Sequence, residues 1–231
     1  MKLNLFLPIV FSMLCVSSAI AEDTYLTVSD TAMIKEGKYS SLVKSALETY
    51  QELKSGAKSL DFAAGEKNAK CIVIFPSIKS GALIAGASHG DGVAFCKGSA
   101  AWSGVSFVDL YSGSIGLQAG ADSTKAVLFL NSDEAKQELL DGKFNVAPTA
   151  NALAGEQRAM LKGGLADERV TIISSQKGLF AGVNVTGTSI QIDESENKAF
   201  YKEPYELKTV LTTYKYSNPP GELEKIYTIL P

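Results

Sequence analysis

The chain has 231 residues, 22 basic and 25 acidic side chains, a formal charge of −3 and a hydrophobic fraction of 45%. That length and apolar content support one folded domain with a sizeable core, while the mildly acidic balance leaves no overall positive field to attract nucleic acid or an anionic membrane surface. Any lipid contact then has to use a local patch or an apolar pocket.

Lys2, the apolar run from Leu3 to Val16 and the ending Ser17-Ser18-Ala19-Ile20-Ala21 have the charge, length and small-x-small finish of a signal peptide cleaved after Ala21. The run is short for a membrane span, and no later stretch reaches about 18 uninterrupted apolar residues. The mature chain is therefore expected to be exported, periplasmic or secreted, at a charge of −4 because only Lys2 is lost. Cys15 falls in the discarded segment, behind Leu14, where a lipidation box wants a small residue.

Residues 22–38 are polar and weakly patterned. From Tyr39 onward Leu42, Val43, Ala46, Leu47, Tyr50 and Leu53 recur at three- and four-residue spacing, which predicts an amphipathic helix ending near Gly56. Its apolar stripe is expected to cover a sheet; docking to a membrane or partner is the alternative.

Between Cys71 and Gly120 lie nine of the 20 glycines and only five Lys, His or Asp side chains. Short apolar stretches broken by Gly-Asp-Gly and Ser-Gly-Ser predict antiparallel strands near 70–76, 82–88, 92–97, 105–111, 114–121 and 126–130. Cys71 and Cys96 fall on neighbouring segments, so a disulfide between them and a pair of buried thiols are both open.

Ser132, followed by Asp133 and Glu134, caps a second helix that Gly142 closes. Further strands are expected at 170–174, 179–186 and 188–192, a solvated turn at Asp193–Asn197, and short helices at 205–212 and 221–230, separated by Asn218-Pro219-Pro220. The fold class is α+β, a Gly-rich, mainly antiparallel sheet, open or wrapped like a barrel, with an N-terminal amphipathic helix, one mid-chain helix and short C-terminal helices.

Catalytic chemistry finds little support. His89 is the single histidine, beside Asp91 in an expected Gly-rich turn with Ser88 before it. Adjacent residues of a strand point to opposite faces, so these sequence neighbours are not expected to assemble as nucleophile, base and orienter, and His89 is expected to be turn-exposed. With no nucleophile elbow, phosphate loop or metal-ligand spacing, the chain is expected to be no enzyme, to need no cofactor and to hold no metal.

Phe75-Pro76-Ser77, Ser88-His89-Gly90-Asp91-Gly92-Val93, Trp102-Ser103, Ser114-Ile115-Gly116-Leu117-Gln118-Ala119-Gly120, Gly142-Lys143-Phe144 and Gly178-Leu179-Phe180-Ala181-Gly182-Val183 follow one another in an order that resembles the SYLF family. The resemblance spans about residues 40–230 and implies a single domain over 39–231. It also implies a lipid-binding module, exported and envelope-associated in bacterial members. Eukaryotic members bind phosphoinositides and actin. Actin binding is not carried over, because residues 22–38 set Lys35 and Lys38 against Glu22, Asp23, Asp30 and Glu36.

The expected function is non-enzymatic binding of a phospholipid or membrane surface, acyl chains lying on an apolar concave sheet and lysines on its rim holding the headgroup. Lys70, Lys79 and Lys97 are the candidate headgroup contacts and Trp102 the interfacial anchor. The alternative is an interaction module that docks an envelope protein through the Leu42–Leu53 helix or through Tyr201, Tyr205, Tyr214, Tyr216 and Tyr227.

Overall fold

The computed structural model describes residues 37–56, 59–81, 85–98, 101–115, 122–146, 150–154, 157–158, 167–175, 188–201, 206–212 and 221–231. Residues 1–36, which include the expected signal peptide, residues 116–121, the expected strand at 179–186 and Asn218-Pro219-Pro220 lie outside them.

Two helices, α1 (Gly37–Gly56) and α2 (Ser59–Asn68), precede four long strands: β1 (Cys71–Gly81), β2 (Ala85–Cys96), β3 (Ser106–Ile115) and β4 (Asp122–Leu130). Helix α3 (Asp133–Leu140) then leads into β5 (Lys143–Asn145), β6 (Ala150–Ala154), β7 (Gln157–Arg158), β8 (Asp167–Ser174) and β9 (Ser189–Ile192). The described chain ends with α4 (Glu194–Tyr201), α5 (Leu207–Thr212) and α6 (Glu222–Ile229). The strands form one sheet in the order β5-β9-β3-β2-β1-β4-β8-β6-β7. Every pairing is antiparallel except β6 with β8. Among the described residues no ladder joins β5 to β7.

Strand β1 begins Cys-Ile-Val-Ile-Phe, five consecutive buried side chains. Alternation sends Ile72 and Ile74 to one face, with Val93, Phe95, Phe107, Val127 and Phe129, beneath α1, α2 and α6. Cys71, Val73 and Phe75 go to the other, with Leu110, Leu128 and Ile172, against Leu139 of α3 and Phe144. Continuous apolar strands are the usual mark of parallel sheets covered on both faces; here helices, with Phe144 and Val146, give an antiparallel centre the same cover. The burial that α1 was predicted to provide is seen: Val43, Ala46, Leu47, Tyr50 and Leu53 are all in the first cluster.

Pro76 stands in a central strand because β1 bulges there. Three steps along β1, from Ile74 to Ser77, oppose two along β2, from Val93 to Asp91, and the same slip occurs against β4. The extra residue puts both Phe75 and Ile78 in the second core cluster.

The structure corrects the sequence expectations at three places. Residues 85–88 and 92–96 of two expected strands belong to one strand, β2, and Gly90-Asp91-Gly92 is strand interior, not a turn. Gly92 is required for space, since a Cβ there would lie 2.5 Å from the Phe75 ring. Asp193–Asn197 is not a solvated turn: α4 starts within it and Asn197 is fully buried. Its Nδ2 donates to the Phe107 carbonyl at 2.8 Å and its Oδ1 accepts from the Phe107 amide at 3.0 Å, so one side chain serves Phe107 as a strand partner would. Helix α2 was unexpected altogether, because no apolar stripe announces it; Phe62 is its large buried residue among the side chains described.

Helix α3 follows its sequence signals. Ser132 Oγ accepts from the Ala135 amide, acids fill the first turn, and Gly142 beyond the last turn has φ 95°, a left-handed value that glycine adopts freely.

Candidate functional site

The end of the sheet where β1 starts and β2 finishes is tied together covalently. Cys71 and Cys96 are register partners and form a disulfide with Cα atoms 4.0 Å apart. Next to them the Lys97 amide donates to the Lys70 carbonyl at 2.7 Å. Lys70 and Lys97 are thus a hydrogen-bonded pair, which leaves the cysteines in the close, non-hydrogen-bonded pairing that antiparallel strands alternate with it.

Past Lys97 the chain turns back, with the Gly98 amide donating to the Ala101 carbonyl, and Trp102 bridges to Lys97. The Lys97 ammonium lies 5.1 Å from the centroid of the Trp102 ring, a cation–π distance. The indole Nε1 donates to the Pro231 carbonyl at 2.7 Å, and its ring packs on the first core cluster. Trp102 is therefore half-buried and oriented by α6, whose Tyr227 hydroxyl donates to the Ser103 carbonyl. Two cations and a fixed aromatic share this rim.

Of the four residues picked out for a headgroup, the fold brings Lys70, Lys97 and Trp102 together and leaves Lys79 near the opposite end of β1, paired in register with His89. Lys70 pairs with Asp133 at 3.5 Å, both side chains being well exposed. Sequence reasoning missed Lys136, whose ammonium donates to the Lys97 carbonyl at 2.6 Å, and the contact of Trp102 with Pro231. Neither has a local signal, since both join segments distant in sequence.

The opposite end carries different chemistry. His89 faces Tyr111, and Asp91 faces Asp109, in the β2–β3 register. His89 Nε2 is 3.0 Å from Asp91 Oδ1 and the His89 and Tyr111 rings are 5.0 Å apart. Asp91, Asp109, Asp193 and Glu196 line a solvent-open cleft walled by Tyr39, Leu42 and Phe107. Partial burial and then the Asp193 charge raise the Asp109 carboxyl above its usual range, against the opposing pull of His89. Ser88 is buried and, by alternation, on the far side of β2 from His89 and Asp91, so this trio cannot assemble for acyl transfer.

The surfaces of the alternative docking reading are largely used up inside the fold. The apolar stripe of α1 is core, Tyr201 is buried with its hydroxyl donating to the Val105 carbonyl, and the Tyr227 ring packs edge-on against Phe95. Tyr205, Tyr214 and Tyr216 lie outside the described residues.

Residues 111–231 match the family model described as "Ysc84: Las17-binding protein actin regulator". Among curated proteins, LAS seventeen-binding protein 3 of Saccharomyces cerevisiae is 28% identical over 173 residues, 71% of this chain and 37% of that protein. Protein YSC84 of the same yeast is 30% identical over 155 residues, 63% of this chain and 32% of that protein. An SH3 domain-containing protein of Schizosaccharomyces pombe is 29% identical over 174 residues, 71% and 39% of the two lengths. The chain thus spans less than two fifths of the length of these relatives, and no solved structure matches it. With the family model covering more than half of the sequence, and the SYLF-like motifs in order along it, the chain belongs to the Ysc84, or SYLF, family of binding domains.

Proposed function

We propose that the mature chain is a non-enzymatic module of the bacterial envelope that binds anionic phospholipid headgroups at the Lys70–Lys97–Trp102 end of its sheet. The observation that carries this reading is the Lys97 ammonium poised over the Trp102 ring beside Lys70, on a rim held by the disulfide and by backbone hydrogen bonds. Lysine ammoniums are point donors for phosphate oxygens, and a half-buried indole has the apolar body and polar edge of an interfacial anchor.

The expectation that acyl chains lie on an apolar concave sheet needs revision. Side chains and helices fill both central sheet faces, and the exposed large hydrophobic among the described residues is Tyr111, at 45%. Binding is therefore peripheral, headgroup first. Residues 1–21 would direct export, leaving the protein periplasmic or secreted and peripheral on a membrane. The yeast relatives' names point to protein partners instead, but among the described residues the α1 stripe and Tyr201 are core and Tyr227 packs against it.

Flotation of residues 22–231 with vesicles of phosphatidylglycerol and of phosphatidylcholine, over a salt series, tests the proposal. Association with the anionic vesicles that weakens with salt is expected; no association with either at low salt overturns it.

A further inference from the structure

A divalent-cation site is already half assembled at the acidic end of β2 and β3. Imidazole Nε2 of His89 and carboxylate oxygens of Asp91 and Asp109 all lie within 4.8 Å of one another. The sheet itself dictates this. His89 and Asp91 are two residues apart on one strand face, and Asp109 is the register partner of Asp91 on β3. Donors on a tetrahedral ion at about 2.0–2.2 Å stand roughly 3.3 Å apart. Exposed His89 and Asp91, with 52% and 64% of their side chains accessible, can close that difference by side-chain rotation alone.

The surroundings ask for positive charge. Two carboxylates placed directly opposite on neighbouring strands repel, and Asp193 and Glu196 add their charges to the same cleft. The cation nearest in register is Lys79, opposite His89 on β1. What separates this cluster from an ordinary acidic surface is its nitrogen donor. One imidazole with two or three carboxylates, presented by strands, suits a borderline first-row divalent ion, whereas Ca²⁺ wants six to eight oxygens from a pliant loop.

We infer that His89, Asp91 and Asp109 form a binding site for a first-row divalent cation of the Zn²⁺ type. This site is independent of the headgroup reading, since it lies at the other end of the sheet.

Calorimetric titration of Zn²⁺ into chelator-stripped, tag-free residues 22–231 tests it. One ion per chain is expected, with His89→Ala and Asp109→Asn each weakening the affinity at least about tenfold, the loss seen even for changes around a metal's ligands. Glu224→Gln, on the exposed side of α6, should leave it unchanged. His89→Gln repeats the experiment should the alanine variant lose its far-ultraviolet dichroism. Absence of saturable Zn²⁺ binding, equal affinity in the wild type and in both ligand variants, or equally tight binding of Ca²⁺ would overturn the inference.

Discussion

Strands β1 and β2 present two chemistries, one at each end. Where they meet near Lys70 and Lys97, the backbone is locked by the Cys71–Cys96 bond, the Lys97–Lys70 hydrogen bond and the turn back to Trp102, and the polar chemistry consists of ammoniums on that frame. Near His89 the polar groups are placed by strand alternation and register and meet one another across β2 and β3, His89 pairing with Asp91. A covalently tied rim that presents ammoniums suits a ligand with phosphate oxygens. A cluster of one imidazole and two carboxylates suits a single small ion.

Breaking the frame at the first end should have the largest effect. The disulfide spans a sequence separation of 25, so the Cys71→Ser/Cys96→Ser double variant should lose about 3 kcal/mol of stability, read from the urea midpoint. A loss below about 1 kcal/mol would mean that the ladder alone holds this rim. Gly92→Ala, between the two ends, comes next. Its Cβ would stand 2.5 Å from the Phe75 ring and 2.7 Å from the Ile74 carbonyl oxygen, and backbone yields little, so about 2–3 kcal/mol should be lost in the same assay.

The second end depends on α4 rather than on a covalent tie. Asn197→Ala would strip the Phe107 amide and carbonyl of their partner and cost about 2 kcal/mol, with faster amide exchange at Phe107 as the local signature. The smallest structural effect belongs to Lys97→Ala. It should leave the urea midpoint almost unchanged, because an exposed cation–π contact contributes about 0.5–1 kcal/mol, yet lower partition onto anionic vesicles about fivefold, as roughly 1 kcal/mol per surface lysine implies.

What the sequence disclosed and what it hid divide along the same physical line. Helix α1 was legible because its apolar spacing is the packing, and α3 because Ser132 and Gly142 are local solutions to local backbone problems. Gly90-Asp91-Gly92 misled because glycine signals two things, a turn and a close approach, and the ring of Phe75 that decides between them is supplied by another strand. Asn197 hid inside an acidic run whose other members face water. Of the candidate headgroup residues, Lys70 and Lys97 were picked out by their places at strand ends and Trp102 by its amphipathic ring, while Lys136 and Pro231 reach them only through tertiary structure. Aspartates 109 and 193 lacked any spacing relation to His89 until the register of β2 on β3 and the start of α4 were known.

The central claim is that anionic lipid is held at the lysine–tryptophan end and not by overall charge. Vesicle flotation of Lys70→Gln/Lys97→Gln beside Lys198→Gln/Lys225→Gln, two lysines on α4 and α6, compares equal losses of charge at different places. The account predicts that the first pair loses most of its association with phosphatidylglycerol vesicles while the second keeps it. Equal loss in both pairs, or none in the first, would contradict it.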